Sequence, residues 1–181
     1  MSTALATPNF DSYRTQFSAR LPDLTRKQYD DEEADVSSHN DVYSLPHAPA
    51  GNHLRGTPPT EPRSAGEKMH IWLVLPEDVV FSEEAGHSGA STQRKRLSHT
   101  NLSGGSPAHC GGELWFRDEG SIWITGGSSR YAPRSDEELH SLAQSFVDSG
   151  YSVCSCGWDS DNAMPARFFR GNEKWLSENG H

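Results

Sequence analysis

The chain is short of cysteine, of cations and of apolar runs, and each shortage excludes something. Three cysteines among 181 residues are odd in number and too few for a disulfide framework. The first ten residues show no basic stretch followed by an apolar one. Both features predict a cytoplasmic protein without a secretory signal. No stretch approaches the roughly 20 apolar residues that span a bilayer, so no membrane association is expected. Lys and Arg number 16 against 25 Asp and Glu, a net charge of -9. That balance makes nucleic acid an unfavoured partner, because phosphate contacts need clustered cations. Apolar residues make up only 33% and mean hydropathy is -0.74. Such values predict that part of the chain does not pack. There is no Gly-x-Ser-x-Gly elbow, no P-loop and no His-Glu-x-x-His.

What is present is unevenly distributed. Residues 1–67 hold seven of the eleven prolines and the run Asp30-Asp31-Glu32-Glu33. Their apolar residues, such as Leu21, Leu24, Val36 and Leu45, are scattered. A segment that buries little apolar surface cannot offset its chain entropy. Residues 1–67 are therefore expected to be a disordered acidic tail, with a short helix near Phe10–Leu21 as its one structured option. Residues 68–175 are expected to form a single α+β domain, and residues 176–181 a flexible end.

Within the domain, His70–Leu75 is a short β-forming run stopped by Pro76, which predicts a buried strand. Val79–Phe81 suggests a second strand, and Ser82–Gln93 reads as surface loop. Gly112–Phe116 and Ser121–Thr125 read as a hairpin joined by residues 117–120, with Trp115 facing Trp123. Ser135 and Glu138 form a capping-box pattern. Leu139, Leu142, Ala143, Phe146 and Val147 then recur at helical spacing up to Gly150, which predicts a helix over 136–149. Tyr151–Cys156 and Ala166–Phe169 read as further strands. The order predicts an α+β fold: a small antiparallel or mixed sheet with one main helix packed on a face.

Two polar loops stand out as places for chemistry. In the first, His99 can titrate near neutral pH, Thr100 and Asn101 offer donors and acceptors, and Gly104 and Gly105 let backbone approach a ligand. In the second, Ser128, Ser129 and Arg130 precede a helix, an arrangement that suits an anion. His99, Glu113 and Tyr131 are the candidate catalytic residues; Thr100, Asn101, Gly104, Gly105, Ser128, Ser129 and Arg130 are the candidate ligand-binding ones. The same residues also suit a structural role, with the histidine and serines bonding loop backbone. Arg94-Lys95-Arg96 would steer an anion to the site or sit solvated. His109, Cys110, Cys154 and Cys156 are spaced unlike structural zinc ligands, so no metal and no cofactor is expected.

Four segments carry a resemblance. Ile71–Leu75 is followed by Ser98–Gly105, then by Gly111-Gly112-Glu113-Leu114, then by Gly127–Pro133 leading into the helix. This resembles a domain of plant IQ-motif calmodulin-binding proteins and of fungal and bacterial toxin-like proteins, over about residues 70–155. That domain carries His-Ser-Ser-Phe-Leu-x-Gly-Gly, an Ala-Gly-Glu or Ala-Gly-Arg strand and Ser-Gly-His-Tyr-x-Pro. Thr100 and Asn101 stand here for the two serines, and Ser129 and Arg130 for Gly-His. No IQ helix is present, so no calmodulin link follows. The first expectation is a binding or accessory module with a polar loop site, its partner a protein or an anionic small molecule. The resemblance to toxin-like proteins implies an alternative, a small transferase of the ADP-ribosyl type using His99 and Tyr131. Nucleic-acid binding comes last. The sequence does not decide whether the protein is an enzyme.

Overall fold

His70–Val74 (β2) is the strand that its run of β-formers predicts, and all five of its residues are buried. A strand covered on both faces has no need of polar alternation. A computed structural model describes residues 10–45, 68–116, 121–166 and 176–177. In chain order its elements are helix α1 (Asp11–Gln16), a 3-10 turn at Asp30–Glu33, β1 (Val42–Ser44), β2, β3 (Val79–Glu83), α2 (His87–Ala90) and α3 (His99–Ser103). Then come β4 (Cys110–Phe116), β5 (Ser121–Thr125), α4 (Asp136–Asp148), β6 (Ser152–Ser155), β7 (Trp158–Asp159), β8 (Met164–Pro165) and β9 (Leu176–Ser177).

Seven strands make one mixed sheet in the order β1-β3-β2-β4-β5-β6-β9, and β7 and β8 pair separately. Among the described residues only β5 and β6 run parallel, because α4 carries the chain back between them. The fold is α+β, as expected. Trp115 lies opposite Trp123 in the β4–β5 ladder. The linker 117–120 and residues 167–169 of the expected last strand lie outside the described residues, as do residues 46–67 and 178–181. No helix among the described residues is long and apolar enough to cross a membrane.

The sheet separates two cores. On one face Trp72, Val74, Phe81, Leu114, Phe116, Ile122 and Ile124 meet Leu139, Leu142, Ala143 and Phe146 of α4. The helix begins where its cap predicts: Ser135 Oγ accepts the Glu138 N–H at 3.0 Å. Only half of the expected capping box forms. The Glu138 carboxylate reaches the Arg134 N–H (2.7 Å) and the Tyr13 hydroxyl (2.9 Å) instead. On the other face Ile71, Leu73 and Val80 meet Leu97, Leu102, Ala108 and Tyr131.

The largest departure from expectation is at the N-terminus. Residues 10–45 are not a tail. Phe10 and Tyr13 are fully buried, with the Phe10 ring edge-on to Phe146 at 5.0 Å. Arg20 and Ala108 exchange backbone hydrogen bonds (2.9 and 3.0 Å). Val36 joins the second core, and β1 pairs with β3. The reason is physical: single apolar residues, each entering a different gap, leave no periodic trace. The stretch 82–93 is likewise more than a loop. It starts in β3 and holds α2, whose Ser88 and Gly89 are buried.

Candidate functional site

The first candidate loop is a helix. Ser98 starts α3, Gly104 ends it at φ 61°, and Gly105 follows at φ 79°, a left-handed pair that glycine adopts without strain. The Asn101 Oδ1 accepts the Ser98 N–H at 2.9 Å, fixing the first turn.

His99 projects from α3 onto β4. A carbonyl can only accept, so its Nε2–H donates to Gly112 O at 2.9 Å. Burial takes the imidazole pKa down to about 4, so the ring is neutral near pH 7 and its Nδ1 is an acceptor. Ser128 Oγ donates to that Nδ1 at 3.1 Å. The same Oγ accepts the N–H groups of Arg130 (3.2 Å) and Tyr131 (3.0 Å). Gly111 makes room for the ring: a Cβ there would lie 2.6 Å from His99 Cδ2. The close approach that glycine permits is thus made by the protein's own histidine.

Tyr131 is fully buried. Its hydroxyl donates to Ser106 O at 2.8 Å and bonds Ser103 Oγ at 2.8 Å. Burial pushes its pKa up. Glu113 shares a row of the sheet with Ile71 and Thr125. Its Oε2 accepts the Thr125 hydroxyl at 3.0 Å, and it lies against Gly127. The two loops therefore converge, through His99–Ser128 and Ser103–Tyr131. Glu113 flanks them, and Ser129 is exposed.

A segment that sequence reasoning passed over lies across this site. Residues 28–36, which include the acidic 3-10 turn, dock on α3 and on Arg130. Arg130 is 4% exposed, and its NH2 donates to Glu32 Oε2, itself 4% exposed. Glu32 Oε1 accepts the backbone N–H groups of Gln28 (3.0 Å) and Tyr29 (3.1 Å). Burial alone would raise the Glu32 pKa, but Arg130 and the Gln28 N–H hold it below the usual carboxylate range. Asn101 Nδ2 donates to the carbonyls of Asp31 and Ala34, both at 2.9 Å. Thr100 Oγ1 donates to Glu32 O. A Cβ on Gly105 would meet Glu33 Oε1 at 2.9 Å. The available signal was an unbroken acidic run far from a lone Arg130 that, once buried, requires a counter-ion.

The expected steering cations are partly engaged: Arg94 NH1 reaches Ser98 Oγ at 3.4 Å. The cysteines and His109 do not converge. His109 Nδ1 donates to Phe17 O at 2.6 Å. Cys110 lies in the main core and Cys156 beside Trp115. Among the described residues no group of three or more His, Cys, Asp or Glu is arranged to hold a metal.

No family model, no curated protein and no solved structure matches the chain.

Proposed function

We propose that the protein is a non-catalytic binding or accessory module of the cytoplasm, with a protein partner. One observation supports this reading above others. The polar groups of the candidate catalytic residues His99 and Tyr131 are engaged inside the fold: both ring nitrogens of His99 and the Tyr131 hydroxyl. Ser128, the hydroxyl nearest His99, already accepts two backbone N–H bonds. Groups held this way define loop geometry, and a neutral buried imidazole with no free nitrogen is a poor proton carrier.

A second reading, the transferase or toxin-like enzyme, has one contact in its favour. Ser128 against His99 at 3.1 Å is the front end of a nucleophile–base pair. Thermal unfolding of His99→Ala and Tyr131→Phe, with an assay of NAD consumption, separates the two. The module reading expects no turnover, a loss of about 3 kcal/mol for His99→Ala and about 1 kcal/mol for Tyr131→Phe. Turnover in the wild type that vanishes in both variants at unchanged Tm would establish the enzyme instead.

A further inference from the structure

We propose that the surface made by α3 and the 128–131 loop is a receptor for an acidic peptide segment, and that residues 28–36 are its resident ligand. The inference rests on the binding-module reading and names the ligand class of that site.

The contacts divide as a receptor and a peptide do. From the receptor side, Asn101 and Thr100 donate to three elements of peptide backbone, the carbonyls of Asp31, Glu32 and Ala34. Arg130 meets one carboxylate among the described residues, that of Glu32. The peptide side returns its own geometry: Glu32 closes the turn by accepting from Gln28 and Tyr29. Asp31 Oδ2 accepts the Gln93 N–H at 2.8 Å. Side-chain amides and hydroxyls that read main-chain carbonyls give affinity without residue specificity, while a buried guanidinium selects the acid. Val36 fills an apolar position beside Leu102 and Leu73, and its N–H donates to Asn101 O at 3.0 Å.

A second observation is independent of these bonds. Arg130 Nε is buried and has no hydrogen-bond partner among the described residues, and neither does the buried Asp31 Oδ1. An orphan donor on a buried guanidinium is costly. The resident segment thus leaves the site incompletely matched, as a displaceable ligand would. A carboxylate gripping Arg130 in bidentate fashion through Nε and NH2 is the better partner this geometry admits.

The segment is tethered on both sides, by α1 and by β1. Tethering gives it an effective concentration of about millimolar order, so an external peptide at micromolar concentration competes only when docking of the segment is weakened. The source is therefore distinguishable: the protein's own segment in the resting chain, an acidic segment of another protein once the first is loosened.

The test uses full-length protein and a fluorescent peptide with the sequence of residues 27–36, read by anisotropy at low salt. Full-length Glu32→Gln and Asp31→Asn chains are compared with wild type. Asp31→Asn keeps the Arg130 ion pair, so it reports even where Glu32→Gln fails to fold. The expected result is that the variants bind the peptide about tenfold or more tighter than wild type. A control peptide carrying Glu32→Gln should bind about tenfold more weakly. In the wild type, peptide raised to about millimolar concentration, matching the effective concentration of the tethered segment, should speed tryptic cleavage after Arg26 and Lys27, because displacement frees that backbone to enter the protease. Folded variants that bind no peptide would overturn the receptor. Equal affinity in variants and wild type would overturn the resident-ligand role. Either failure without NAD turnover leaves the module reading standing, whereas turnover removes that reading itself.

Discussion

Glu32 and Arg130, 98 residues apart, meet as an ion pair with each side chain 4% exposed. Breaking one partner of such a pair strands the other charge out of water, which costs about 3–5 kcal/mol. Glu32→Gln and Arg130→Met should each lose stability on that scale in urea unfolding. The double variant should lose clearly less than the sum, since it strands no charge. Additive losses would show that the two side chains do not act as a pair.

Acid should destabilise the protein in two stages. Burial lowers His99 and His70 from 6.5 to about 4, so between those values the unfolded chain binds more protons. Their contribution is complete above pH 6.5 and is lost as pH falls through 4, about 3 kcal/mol for each histidine. Glu32 is held below its ordinary 4.5, so its contribution is present above that value and is lost on further acidification. Unfolding free energy measured from pH 7 to 4 should fall steadily, and His70→Leu should flatten the slope. A level profile over that range contradicts the buried neutral histidines.

Two glycines should respond unequally to alanine. A Cβ at Gly112 would lie 2.0 Å from Thr125 O and 2.5 Å from the Trp72 ring. Neither the β4–β5 ladder nor a fully buried indole can yield, so Gly112→Ala should cost about 3 kcal/mol or more. Gly150 has φ 98°, and a Cβ added there would meet nothing within 4 Å. Gly150→Ala therefore meets only backbone strain of about 1–2 kcal/mol. Comparison of the two melting temperatures decides it, and a larger loss at Gly150 would refute the packing argument.

The parts of this fold that could be read in the sequence are those whose causes are local. Ser135 and the spacing of Leu139, Leu142, Ala143, Phe146 and Val147 lie within one helix, and Asp136–Asp148 follows from them. The Trp115–Trp123 pair needed only a short hairpin. By contrast, His99-Thr100-Asn101-Leu102-Ser103 has weak helix propensity. It is helical because Asn101 and Thr100 are tied to carbonyls some 70 residues earlier in the chain. His99 and Ser128, which the sequence places in two separate loops, meet in the fold. Their roles were harder to read, because burial converts the same donors and acceptors from ligand contacts into internal ones. Glu32 was harder to place for a different reason: its partner Arg130 lies 98 residues away, and the acidic run alone does not say which cation it meets.

The Tyr13–Glu138 bond, which joins residues 125 apart, has a consequence for how the protein is made. Translation delivers Glu138 some 125 residues after Tyr13, several seconds later at about 5–20 residues per second. In that interval the Tyr13 hydroxyl lacks the acceptor that holds it in the finished fold. Folding here closes backwards, the later helix capturing the earlier, so a nascent chain stalled before α4 would present Phe10 and Tyr13, whose partners Phe146 and Glu138 are not yet made, to whatever binds first.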